Sequence, residues 1–247
     1  MQLRDKIKDL QNVCKIVSKL KSQIIGKLPH YAHDALFLKN DDITTGLLNN
    51  TTEIKINLVR GDLLYFHDEK GYIVYLTRED IYDWLKDIGI KYNINIPQIS
   101  SLTNLNITDL ADYLAFATKA NRSLELFRMK LIGHFTQVQL LPDGFDFSIE
   151  WFTDKNEEQI GVGISPGEER YESPYLYVNP YPFNEKLFDE SVSSGTWHTD
   201  GCKGIKVEWK DLEYKTEKEI SGQIHDLFQI AQSHFQEGWP FYVLYYH

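Results

Sequence analysis

Apolar positions along the chain recur at two periods, and the switches between them lay out the fold. Leu3, Ile7, Leu10, Cys14, Val17, Leu20 and Ile24 are spaced by three and four residues, which places them on one face of a long helix. Gly26 and Pro29 end it. Ala35-Leu36-Phe37-Leu38 reads as a short buried strand, and residues 41–50, rich in Asp, Asn, Thr and Gly, read as a turn region. Residues 53–58 then alternate strictly, and two further apolar runs at 63–66 and 72–76 follow Arg60-Gly61-Asp62 and Asp68-Glu69-Lys70-Gly71. This is the pattern of an antiparallel meander. Thr77 and Asp80 form a short-acid capping box for a helix carrying Ile81, Trp84, Leu85 and Ile88, which Gly89 stops. Residues 92–97 predict an edge strand closed by Pro97, and the polar stretch from Gln98 to Asn106 predicts a linker.

The same order then repeats. A helix capped by Asn106 or Thr108 runs to about Ile132, apolar around much of its circumference, as a central buried helix is. Val138–Leu141, a Pro142-Asp143-Gly144 turn and the alternating stretch 145–151 predict a hairpin. A third strand is expected at 160–164 and another at 205–209. Between them, residues 165–204 carry Pro166, Pro174, Pro180 and Pro182 among several tyrosines and read as irregular, as a functional loop often is. An amphipathic helix at 217–235 and an aromatic tail at 239–246, docked on the body, complete the chain. The expectation is an α+β protein of two related halves, residues 1–100 and 106–247, each with antiparallel strands flanked by helices, packed as one unit. A repeated block supports the duplication: Leu20-Lys21-Ser22-Gln23-Ile24-Ile25-Gly26-Lys27-Leu28 and Phe127-Arg128-Met129-Lys130-Leu131-Ile132-Gly133-His134-Phe135 both fall where a helical pattern gives way to a strand.

Composition narrows the function classes. At 247 residues the chain can bury a sizeable core. The net charge of −10 argues against a general nucleic-acid binder. The charge is uneven, since residues 1–27 hold seven Lys and Arg against Asp5 and Asp9. That basic helix complements the acidic body, or meets a membrane surface or a partner. Cys14 and Cys202 are the only cysteines; they could form one disulfide but are read as free thiols in a cytoplasmic, reducing setting. No apolar run reaches the length of a membrane span, and no signal core opens the chain.

Candidate chemistry is sparse. His30, His33 and Asp34 could bind zinc, but Pro29 places them in a loop without the helix and Glu of a metalloprotease motif. The expectation is no metal and no cofactor. Lys27 and His134 hold equivalent positions after a Gly, as do Lys21 and Arg128. Across a pseudo-twofold axis Lys27 and His134 could share a cleft suited to an anion, although cations near helix C-termini also complement the helix dipole. Trp197-His198-x-Asp200 could orient a base for Ser191, Ser193 or Ser194, but no Gly-x-Ser-x-Gly elbow accompanies it. Gly161-Val162-Gly163 lacks the third glycine of a dinucleotide site.

On these residues the chain resembles an uncharacterised bacterial domain-of-unknown-function family. Gln23-Ile24-Ile25-Gly26-Lys27, His30 to His33 and Ile43-Thr44-Thr45-Gly46 are similar to its opening signatures. Phe127-Arg128, Leu131, Gly133-His134, Val138 and Gly144-Phe145-Asp146 are similar to its middle one, and Glu190-Ser191-Val192-Ser193-Ser194-Gly195-Thr196-Trp197 to a later one. The resemblance covers about residues 18–236. It departs at Tyr31-Ala32, where the family has tandem tryptophans, at His134, where it has Lys, and at Trp197-His198-Thr199, where it has Trp-Pro-Gly. The family implies an architecture and no activity. The reading is therefore a binding protein for a small anionic molecule or a protein partner, through Lys27, His30, His33, Arg128, His134, Trp197 and His198, with no catalytic residue. The alternatives are a hydrolase, metal-dependent or not, using His198 or His30 and His33, and a structural protein that dimerises through its N-terminal helix.

Overall fold

The computed structural model describes residues 2–68, 70–76, 81–91, 93, 106–153, 155, 158–199, 201, 203–233 and 235. It is an α+β fold with two antiparallel sheets and flanking helices. The N-terminal helical pattern forms two pieces, α1 (Leu3–Lys6) and α2 (Lys8–Ile25), separated at Ile7 by a non-helical ψ of 9°. Ile7, Leu10, Val13, Cys14, Val17 and Leu20 are buried, so the expected apolar face holds across the kink. Gly26 ends α2 with φ 72°, a conformation that costs glycine little.

The first sheet has the order β1-β2-β3-β4-β5, comprising β1 (Phe37–Lys39), β2 (Asp42–Thr44), β3 (Thr52–Asn57), β4 (Asp62–His67) and β5 (Lys70–Tyr75). The meander is as predicted, but β2 lies inside the stretch read as a turn. Its polar composition concealed Ile43, which is fully buried, while Asn40 at φ 55° closes the β1–β2 hairpin. α3 (Ile81–Lys91) runs through Gly89 rather than stopping there; Gly89 is buried inside it. The proposed cap Thr77 and Asp80, nearly all of the proposed linker and the aromatic tail lie outside the described residues, as does the expected strand at 92–97 apart from Asn93, a turn residue at φ 56°.

α4 (Ile107–Arg128) is capped by Asn106, whose side chain accepts from the Asp109 amide at 2.8 Å. It ends at Arg128, short of the expected Ile132. The second sheet has the order β11-β12-β10-β9-β8-β6, with β7 also pairing β8. Its strands are β6 (His134–Phe135), β7 (Gln139–Leu141), β8 (Asp146–Phe152), β9 (Gln159–Ser165), β10 (Tyr175–Tyr181), β11 (Thr196–His198) and β12 (Gly204–Glu208). Two of these, β10 and β11, fall in the segment expected to be irregular. Leu176 and Val178 alternate with Tyr175 and Tyr177 there, a strand pattern masked by the flanking prolines. α5 (Glu217–Ser233) is opened by a Thr216–Glu219 capping box: the Thr216 amide donates to Glu219 Oε2 at 2.7 Å, and the Glu219 amide donates back to Thr216 Oγ1 at 3.3 Å.

The sheets join where Leu36 and Leu140 exchange backbone hydrogen bonds of 2.9 and 2.8 Å. One apolar cluster runs through both sheets and their helices. In the second sheet Phe147, Ile149 and Trp151 of β8, Ile160, Val162 and Ile164 of β9, and Leu176 and Val178 of β10 are buried. Trp151 meets Phe228 of α5 edge-on at 5.6 Å, and Phe228 meets Phe127 of α4 at 5.3 Å. That helix-covered face leaves the alternate residues of each strand on the other side. Among the described residues no helix is long and apolar enough to cross a membrane.

Candidate functional site

The second face of the seven-stranded sheet floors a pocket of about 730 Å3. Asp146, Ser148 and Glu150 of β8 share that face because side chains two apart on a strand point the same way. Ser148 aligns with Gly163, Tyr177 and Lys206 in one cross-strand row, and Glu150 with Gly161 and Asn179 in the next. His198 aligns with Gly204 at the far edge.

Glycines make this floor possible by leaving gaps. A Cβ on Gly163 would lie 2.3 Å from the Tyr177 hydroxyl oxygen, and one on Gly161 would lie 3.0 Å from Glu150 Oε1. A Cβ on Gly204 would lie 2.2 Å from Asn179 Oδ1. The Tyr177 ring therefore lies across Gly163, and its hydroxyl donates to Asp146 Oδ2. Glu150 leans over Gly161. Asn179 Oδ1 reaches over Gly204 to within 3.1 Å of His198 Nε2.

The floor is acidic, and its carboxylates are half-buried. Burial pushes the Asp146 carboxyl above its ordinary range; the Tyr177 hydrogen bond opposes this and the Glu168 charge adds to it. Burial also raises Glu150, to about 7, with the Asp146 charge contributing next. Tyr177 is held well above the usual phenol range by burial first and Asp146 second, so it stays a donor. Glu150 Oε2 and Ser148 Oγ are both shielded from water and have no hydrogen-bond partner among the described residues, an expensive state for a buried polar atom.

The walls are aromatic and carry several paired charges, together with Arg170, which lies over Gly201. Tyr175 donates to Glu168 Oε1 at 2.9 Å. Lys206 pairs with Glu208 and stands 4.2 Å over the Tyr171 ring. Lys203 lies 3.2 Å from Glu185. Among the described residues no cation pairs with Asp146 or Glu150.

Of the residues singled out in the sequence, His198 lines this pocket. Its neighbour Trp197 points the other way into a cluster with Phe183 and Phe188, at 6.0 and 5.8 Å, and donates to the Glu190 carbonyl at 3.1 Å. Asp200 lies outside the described residues, and Ser194 accepts from Gln223 of α5 at 2.5 Å rather than lining the pocket. The two glycine corners approach each other. The His30 ring meets Phe152 at 4.0 Å, tilted by 34°, and Phe152 is the strand partner of His134. Lys27 and His134 are nevertheless exposed and neither lines the pocket.

The equivalent basic residues of the repeat have different surroundings. Lys21 is buried, donates to the Ala35 carbonyl and lies 4.7 Å over Phe37; burial lowers its pKa to about 8 against the pull of Asp34. Arg128 pairs with Glu125 at 2.8 Å. His33 uses Nδ1 on the Leu28 backbone and holds Nε2 3.3 Å from Asp34. Among the described residues no three His, Cys, Asp or Glu side chains gather as a metal site.

Sequence reasoning passed over Asp146, Glu150, Tyr175 and Tyr177. Their signal was present as polar alternation in 146–150 and 175–179 opposite two glycines at 161 and 163. No family model matches the chain, and no curated protein or solved structure matches it either.

Proposed function

We propose that this protein binds a small molecule through a positively charged head group, without chemistry of its own. The observation that carries the reading is the pair Asp146 and Glu150, half-buried on one pocket floor, with no cation paired to either among the described residues. An isolated buried carboxylate is unfavourable, and an incoming ammonium relieves it in a medium where charge attraction is strong. Tyr171, Tyr181 and Phe183 line the same pocket and offer faces to the cation or to its apolar substituents. The volume falls within the range of small-molecule pockets.

This reverses the charge expected for the ligand. The basic residues Lys27, Arg128 and His134 stand outside the pocket; of the cations that line it, Lys203 holds Glu185 at 3.2 Å and Arg170 lies over Gly201 in the pocket wall. Calorimetric titration with butylamine and with butyrate tests the reading. Saturable binding of the amine alone, lost in the Asp146→Asn, Glu150→Gln double variant, is expected. Preference for butyrate, or unchanged amine binding in the double variant, contradicts it. The buried thiol of Cys14 fits the reducing, cytoplasmic setting proposed for the chain.

A further inference from the structure

A second cavity, of about 520 Å3, adjoins the first and shares Gly144 and Asp146 with it. Its far wall is a stripe of α2, Lys15, Ser18, Lys19 and Ser22, at the spacing of one helix face. The seam between the cavities is built firmly. Gln11 Nε2 donates to the carbonyls of Pro142 and Asp143 at 3.0 and 2.8 Å, fixing the β7–β8 turn. Gly144 leaves the crossing free of a side chain, since a Cβ there would lie 2.5 Å from Asp146 Oδ1.

Tyr31 also lines this cavity, and it is 71% exposed. It is held there by two consecutive non-glycine residues in left-handed conformation, His30 at φ 53° and Tyr31 at φ 56°. Such strain gathers at binding sites because the surrounding structure must enforce it. The Tyr31 ring stacks on His33 at 6.4 Å and the Tyr31 carbonyl accepts from the Asp34 and Ala35 amides at 2.9 and 3.1 Å, which leaves the other face of the ring open to the cavity.

The charges here differ from those of the floor. Asp34 is engaged by His33 at 3.3 Å, and the fully exposed Asp143 meets Lys15 only at 3.9 Å. Lys19 forms no ion pair among the described residues. The two adjoining cavities offer carboxylates at Asp146 and Glu150 and, further along, Lys15 and Lys19 beside Asp34 and Asp143, a set that suits a linear molecule with an ammonium at one terminus and a carboxylate at the other. A polyamine would bring a cation to the lysines, and a diacid would bring an anion to the floor.

We infer that the ligand is a short peptide, its free N-terminal ammonium at Asp146 and Glu150 and its C-terminal carboxylate at Lys15 and Lys19. The inference rests on the cation reading of the first pocket. Calorimetric titration of the full chain with alanine peptides of increasing length, with free or amidated C-termini, tests it. Affinity is expected to rise with length to a plateau. Amidation of the plateau peptide should weaken binding by up to about fivefold, the scale of an exposed ion pair. The Lys15→Ala, Lys19→Ala double variant should abolish the difference between free and amidated peptides and leave butylamine binding unchanged; both side chains are exposed, so folding is not at stake. Tyr31→Ala should weaken the plateau peptide and spare butylamine. Equal binding of free and amidated peptides, with butylamine still bound, overturns the inference and leaves the cation reading intact. Failure of butylamine itself to bind overturns both.

Discussion

The two sheets obey the same alternation and put it to different uses. The five-stranded sheet buries Ile54, Ile56, Leu63, Tyr65 and Val74 on one face and leaves Glu53, Lys55, Leu64, Phe66, Ile73 and Tyr75 on the other. That second face meets water: Ile73 is 61% exposed and Lys55 pairs with Glu53 at 3.2 Å near the surface. In the seven-stranded sheet the corresponding face is walled by the connections that carry Glu168, Tyr171, Phe183 and Lys203. Carboxylates that would be ordinary on the first sheet become desolvated on the second. A period of two decides which side chains share a face; the loops decide whether that face is wet.

The largest expected contrast is in packing. Phe147 is fully buried between the second sheet and its helices, so Phe147→Ala should cost about 3–5 kcal/mol in urea denaturation. Ile73→Ala on the open face of the first sheet should stay within about 0.5 kcal/mol. Comparable losses would mean that the first sheet's outer face is covered.

Next comes the acidic floor. A carboxyl whose folded pKa stands near 7 keeps its proton in the folded state while the unfolded chain has already released it. Stability contributed this way is present below the unfolded value near 4.5 and is lost as pH rises toward 7. The loss should be on the order of 2–3 kcal/mol, and the Glu150→Gln variant should lack it. Urea midpoints measured across this range check the slope, and a variant as pH-sensitive as the parent would assign the effect elsewhere.

The glycines sharpen the comparison further. At Gly163 an added methyl presses on the Tyr177 ring and its bond to Asp146, so Gly163→Ala should cost about 1–3 kcal/mol and weaken butylamine binding. At Gly71 of the first sheet the nearest atom is Cε1 of exposed Phe66, at 3.1 Å. Gly71→Ala should cost less, because that ring can move into solvent. Equal costs would show that the Tyr177 ring is as free as Phe66.

The smallest effect is expected at the repeated block. Lys27→Ala with His134→Ala should change stability by less than about 0.5 kcal/mol and leave butylamine affinity unchanged. A clear loss of affinity would restore those residues to a ligand site.

Much of the fold was legible because apolar periodicity is strong where one face is buried. The N-terminal helix, the meander through β3 to β5, the 142–144 hairpin turn and the last helix all follow from it. β2 and β10 were missed where Asp, Asn and Pro, normally turn residues, sit at strand positions that other strands and loops protect. The site was less legible. His198 drew attention as a titratable residue beside a tryptophan, and it does line the pocket. Asp146 and Glu150 looked like the polar half of an ordinary strand, since what distinguishes them is the cover supplied by residues about 20 to 50 positions later. The glycines opposite them were weighed against a dinucleotide motif, whereas their use is to leave room for Tyr177 and Glu150.

Glu150 on the second sheet, shielded at Oε2 and paired with no cation among the described residues, is the group on which the proposed cation binding turns. Carbon-13 NMR titration of the Glu150 side-chain carboxyl, assigned by comparison with Glu150→Gln, tests that directly. The account predicts a midpoint near 7 that falls when butylamine is added. A midpoint in the ordinary glutamate range, unmoved by the amine, would contradict it.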